Sequence, residues 1–197
     1  MNKVIFLDRD GVIIEEKGYI CDLSQSEIFP FAAEAVRLMN ESGFKVIGIT
    51  NQSSIARGIC TIKQVETIHG EIIETLAKHG AVIEKFYYSP FHPQGTIRKY
   101  SKVSDWRKPA PGMILQAAAD FNIDLSKSYI MGDDLVDIEA GINAGCKTVL
   151  VLTGKGREMR KNLTERNIQP DMIAENILTA IQRIMEIQAG VRTAAPL

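Results

Sequence analysis

Apolar and polar positions along this chain fall into short alternating segments of two kinds. Val4 to Leu7 is an unbroken apolar run, the pattern of a strand buried on both faces. After Pro30, the residues Ala32, Ala33, Ala35, Val36, Leu38 and Met39 recur at helical spacing until Gly43 stops them. The same two kinds repeat. The pattern predicts further strands over 44–50, 82–88, 128–132 and 147–152, and helices over 61–79, 111–121, 135–144, 157–167 and 174–187. Thr61 is placed to cap its helix, and Gly80 and Gly145 to end theirs. Strands alternating with helices predict an α/β fold with a doubly wound, mainly parallel sheet. Residues 1–188 read as a single domain and 189–197 as a flexible tail. The polar stretch 89–110 is longer than a plain connection, which points to a functional loop or one held by something else.

Composition narrows the classes. With 197 residues, 45% apolar and 24% charged, the chain is long enough to bury one substantial core. The net charge of −1 offers no basic field for nucleic acid or an anionic membrane. The apolar runs are too short to span a bilayer, and the opening residues read as a strand, so no leader is expected. Cys21, Cys60 and Cys146 are odd in number and widely spaced, so three free thiols and a cytoplasmic location are expected.

Chemistry gathers where strands end. The first strand runs into Asp8, Asp10 and Gly11, the second into Thr50, Asn51 and Gln52, and the fourth into Gly132, Asp133 and Asp134, with Asp137 one helical turn after Asp133. Arg107, Lys108 and Pro109 lie just before a helix. Singly, each has a plain reading: a turn at Asp10-Gly11, a strand end at Thr50, a helix N-terminus at Asp133, a solvated lysine. Together they point to one crevice at the carboxyl edge of the sheet. Clustered carboxylates call for a hard cation, acid–base chemistry or both, and a hydroxyl, amides and a lysine suit a phosphoryl group.

These motifs resemble the haloacid dehalogenase (HAD) superfamily. The strings Asp8-Arg9-Asp10-Gly11-Val12-Ile13, Thr50-Asn51-Gln52-Ser53, Ile55-Ala56-Arg57-Gly58 and Arg107-Lys108-Pro109 are similar to its subfamily IIIA, which includes heptose-bisphosphate and histidinol-phosphate phosphatases. The resemblance spans about residues 3 to 155 and implies a Mg²⁺-dependent phosphomonoesterase acting on a small phosphorylated metabolite. It implies Asp8 as nucleophile, Asp10 as acid and then base, and Mg²⁺ on the Asp8 and Asp133 carboxylates and the Asp10 carbonyl. Thr50, the Asn51 amide and Lys108 would hold the phosphoryl oxygens, with Arg107, Arg57 and Gln52 also binding substrate. Asp134 or Asp137 would act behind them, orienting Lys108 or a metal water. A heptose bisphosphate is the leading substrate, histidinol phosphate its rival, and a non-catalytic phosphate-binding protein the alternative class.

The chain departs from the subfamily in one loop. Where many members carry a Cys-x-His pair and then a Cys-x-Cys pair, it reads Ser89-Pro90-Phe91 and Ser104-Asp105-Trp106, with His92 beside a ligand position. One histidine without cysteines cannot make a tetrahedral zinc site, so no structural zinc is expected. Phe91 and Trp106 are expected to pack together in its place. Ile14 and Ser54 replace the usual asparagine and glycine near the substrate mouth. No insertion is long enough for a large cap, which suggests an open site and a monomer. The segments 15–21, 52–57 and 92–107 are the candidates for reading the substrate beyond its phosphate.

Overall fold

The computed structural model describes residues 1–190; of the expected tail, residues 191–197 lie outside the described part. Six strands form one parallel sheet in the order β3-β2-β1-β4-β5-β6. They are β1 (Val4–Leu7), β2 (Lys45–Asn51), β3 (Lys85–Ser89), β4 (Tyr129–Gly132), β5 (Lys147–Val151) and β6 (Met172–Ala174). The helices are α1 (Ala32–Glu41), α2 (Ser53–Ala56), α3 (Ile62–Ala77), α4 (Gly112–Phe121), α5 (Leu135–Ala144), α6 (Gly156–Arg166) and α7 (Ile177–Gln188).

The apolar run of β1 is explained by helices on both faces. Ile5 and Leu7 pack with Ala35, Val36, Ile72, Ile181 and Ile184 of α1, α3 and α7. Val4 and Phe6 point the other way, to Met113, Ile114, Ala117 and Ala140 of α4 and α5. A strand sandwiched in this manner has no polar face. The strand order reverses at β1, with β2 on one side and β4 on the other. The crevice beyond their carboxyl ends is therefore the topological switch point.

Local signals act as the sequence suggests. Thr61 and Gln64 form a reciprocal capping box at the start of α3, and Gly145 ends α5 in the left-handed region at φ 78°. Three expectations are corrected. Strand β3 begins at Lys85, not at residue 82. Met172–Ala174 forms a sixth strand pairing with β5, so α7 starts at Ile177; three residues are too few to show a period. Cys21 and Cys60 are joined by a disulfide, with Cα atoms 5.3 Å apart, and only Cys146 of the three is a free, buried thiol. The partners are 39 residues apart, and only folding brings the loop before α1 against the turn between α2 and α3. No helix among the described residues is long and apolar enough to cross a membrane.

Candidate active site

Four segments meet beyond the carboxyl ends of β1, β2 and β4. The cleft there has a volume of about 340 Å³, and its walls include Asp8, Asp10, Thr50, Asn51, Gln52, Arg107, Lys108, Asp133 and Asp134. A larger hollow of about 680 Å³ lies between α6, β6 and α7, but its acids are engaged, Asp171 with Thr148 and Glu175 with Arg157.

Lys108 is the cationic centre of the cleft. It is only 3% exposed, and its Nζ lies 2.9 Å from Asp8 Oδ1, 2.5 Å from Asp137 Oδ1 and 2.8 Å from the Ile49 carbonyl. Burial opposes its charge, but Asp137 and Asp8 outweigh that and hold Lys108 above the ordinary lysine range. Its backbone is fixed as well. The Asn51 side chain donates to the Lys108 carbonyl and accepts from the Lys108 N–H, both at 3.1 Å.

The acids divide by position. Asp8 accepts from the Arg9 amide at 2.7 Å through Oδ1, the same oxygen that faces Lys108. Asp133, with Lys155 N–H 2.8 Å from its Oδ2, is buried. Burial first, and then Asp8 and Asp137, push its carboxyl up to about 8. Asp137 is fully buried and raised in the same direction by burial, with Lys108 opposing. Ligand oxygens of Asp8, Asp133 and Asp137 all lie within 4.8 Å of one another. Three hard oxygen donors this close, two of them reluctant to ionise, fit a divalent cation. The cradle is tight: a Cβ on Gly11 (φ 77°) or Gly154 (φ 51°) would collide with the Asp133 carboxylate.

Asp134 and Asp137 make different contacts. Asp137 is the acid that reaches Lys108, while Asp134 caps α5, accepting from Val136 N–H.

This arrangement can be set beside known proteins. The HAD-hydrolase-like family model matches residues 105–180. A D-glycero-D-manno-heptose-1,7-bisphosphate 7-phosphatase of Chlorobaculum tepidum is 40% identical over 91% of this chain and 92% of its own. The chain belongs to the HAD-like phosphatases. A D-glycero-β-D-manno-heptose-1,7-bisphosphate 7-phosphatase of Escherichia coli K12 is 41% identical over 77% of this chain and 80% of its own. Among solved structures, the D,D-heptose 1,7-bisphosphate phosphatase of B. bronchiseptica, complexed with magnesium and phosphate, superposes with a TM-score of 0.83 at 27% identity. It covers 94% of this chain and 99% of that one.

Other expected residues of this HAD-like phosphatase are placed differently. The Gln52 side chain donates to Asp10 Oδ2 at 2.9 Å and to Thr50 Oγ1 at 3.0 Å, so its N–H groups serve the site's own residues. Arg57 is turned toward His92, at 3.4 Å, and is not among the cleft walls. Arg107 does line the cleft, tied to the Phe91 carbonyl at 3.2 Å. The expected packing of Phe91 on Trp106 is corrected. Trp106 meets the edge of Tyr87 and donates to the Tyr88 carbonyl at 2.9 Å, whereas Phe91 packs against Tyr100. The rings anchor the loop at two separate points: Trp106 ties it to β3, and Phe91 joins Tyr100 where the loop folds back on itself and His92 N–H donates to the Tyr100 carbonyl at 3.1 Å. Sequence reasoning missed Gly154 and Lys155, although the polar, glycine-rich run Thr153-Gly154-Lys155-Gly156 at the carboxyl end of β5 was the signal that could have found them, and it missed the roles of Arg9 and His69.

Proposed function

We propose that this phosphatase removes the 7-phosphate of D-glycero-D-manno-heptose 1,7-bisphosphate, in a Mg²⁺-dependent reaction through an aspartyl-phosphate. Its relatives' names support the substrate. The observation that carries the chemistry is Lys108 held between Asp8 and Asp137 beside the buried Asp133.

An Asp8 carboxylate oxygen attacks phosphorus, forming a new O–P bond as the bond to the sugar oxygen breaks. Asp10 gives its proton to that departing oxygen. In the second step Asp10 takes a proton from water, whose oxygen displaces Asp8 and releases inorganic phosphate. Thr50, the Asn51 amide and Lys108 orient the phosphoryl oxygens and offset the charge that builds on them. Asp137 keeps Lys108 charged and in place. Arg107 meets the substrate beyond its reacting phosphate. The carboxylates of Asp8 and Asp133 and the carbonyl of Asp10 would hold Mg²⁺. When bound, that ion offsets the clustered negative charge and shields the nucleophile from the phosphate.

The test is a panel of phosphate esters containing both anomers of the heptose bisphosphate, histidinol phosphate and p-nitrophenyl phosphate. The expected result is highest kcat/KM on a heptose bisphosphate, with turnover abolished by EDTA and by Asp8→Asn. Preference for histidinol phosphate would overturn the substrate, and full activity of Asp8→Asn would overturn the mechanism.

A further inference from the structure

Arg9 sits between the two catalytic aspartates in sequence but turns away from solvent. It is 1% exposed, the largest side chain buried so completely among the described residues. Its Nε lies 3.2 Å from Asp10 Oδ1, and its Nη2 lies 2.9 and 3.0 Å from the two Asp10 oxygens. The remaining nitrogen, Nη1, lies 3.3 Å from Nε2 of His69. His69 comes from α3, some sixty residues away in the chain, and is itself buried. Its ring stacks on Phe86 of β3, with centroids 4.4 Å apart and planes 15° from parallel.

Each contact removes a freedom. A guanidinium fork on a carboxylate fixes the plane of both groups, which a lysine could not do. The fork alone could still rotate as a unit. His69 prevents that by accepting from the third nitrogen, for which it needs a lone pair on Nε2. Burial, and then the charge of Arg9, keep the imidazole neutral by lowering its pKa to about 3, so Nε2 accepts and Nδ1 carries the hydrogen. The flat stack on Phe86 holds the ring itself. Gln52 adds one more donor to Asp10, at Oδ2.

We propose that Arg9 and His69 are positioning residues: the His69 ring, clamped on Phe86, sets the Arg9 guanidinium, and Arg9 sets the Asp10 carboxylate at the orientation from which it exchanges a proton with the leaving oxygen. The inference rests on the reading of Asp10 as the acid–base residue. It links α3 and β3, which carry no reacting group, to the proton-transfer step. A fully buried arginine serving one carboxylate is an expensive way to stabilise a fold, since apolar packing of the same volume does as well. It is a direct way to hold a carboxylate to a small angular range, where modest misplacement costs rate.

The test uses leaving groups. p-Nitrophenolate departs without a proton, whereas a sugar alkoxide does not. For His69→Phe and Arg9→Lys, kcat/KM, which reports formation of the phospho-enzyme, is measured with Mg²⁺ on p-nitrophenyl phosphate and on the alkyl ester of the panel that turns over fastest. The expected result is a loss of about tenfold or more on the alkyl ester and of under about threefold on the aryl ester, within the range general acid catalysis supplies. His69→Gln, which restores an acceptor, should recover part of the loss. Equal losses on both esters, or none on either, would overturn the proposal in favour of a purely structural pair. Asp10→Asn run in parallel separates the two layers. If Asp10→Asn shows no leaving-group selectivity, the acid–base reading fails and this inference with it. If Asp10→Asn is selective and the Arg9 and His69 variants are not, the positioning role alone fails. Should His69→Phe not fold, Arg9→Lys decides.

Discussion

Lys108 carries most of the charge balance of the site at the scale of single residues. Its three oxygen partners are all internal, and among the described residues Asp137 has no other cation against it. Lys108→Met is therefore expected to cost about 3–5 kcal/mol, measured by urea denaturation, because it leaves Asp137 buried without a counter-charge. The same variant should lose at least about a hundredfold in kcat. His69 predicts a pH dependence. Below pH 6.5 the unfolded chain takes up a proton here that the native ring refuses until about pH 3. The unfolded state then binds more protons, so stability falls on acidification, by up to about 1.4 kcal/mol per pH unit within that window. Denaturation midpoints compared between pH 7.5 and 5 should show a steeper decline for the wild type than for His69→Gln. An equal decline would contradict a neutral native His69.

Elements contribute through their ends. The first turn of α5 does two tasks with one residue: Asp137 Oδ2 accepts from the Asp134 amide at 3.1 Å while Oδ1 faces Lys108. The helix is thus capped by the acid that orients the lysine. The loop after β5 works by closeness, since Gly154 lies against Asp133 where a side chain would collide. Gly154→Ala is expected to lower Mg²⁺ affinity by about 10–100-fold, read from the metal dependence of turnover, as displacing a ligand's support does elsewhere. Beside it, the Cys21–Cys60 bond ties the loop carrying Glu16 and Tyr19, which line the cleft, to the turn between α2 and α3. Removing it with Cys21→Ser/Cys60→Ser should cost about 2–4 kcal/mol, and reductant should bring the wild type to the same midpoint.

For the molecule as a whole, the strand order makes the site. Reversal at β1 opens the crevice in which Asp8 and Asp133, 125 positions apart in the sequence, share an ion's worth of space. Burial of the Asp133 carboxyl, and then repulsion from Asp8, should weaken the metal-free protein as pH rises from about 4, where the unfolded carboxyl ionises, toward 8, where the raised Asp133 carboxyl ionises in the fold. Mg²⁺ at about a hundred times its Kd at pH 8 should raise Tm there by roughly 5–10 °C, and the same concentration should raise it less at pH 5. Much of this was readable beforehand. Apolar runs and capping residues announced five of the six strands and the main helices, because burial and capping are local demands. The acids, Thr50 and Lys108 were readable because each ends a strand or opens a helix. The three-residue β6 was not, since so short a run has no period. The sequence by itself determined the alternation of elements and the chemistry placed at their ends. Tertiary structure alone decided that Asp137 and not Asp134 meets Lys108, that Cys21 reaches Cys60, that Phe91 and Trp106 part company, and that His69 stands behind Arg9. Each of these is a contact between segments distant in sequence, and such contacts are set by how helices and loops pack on the sheet.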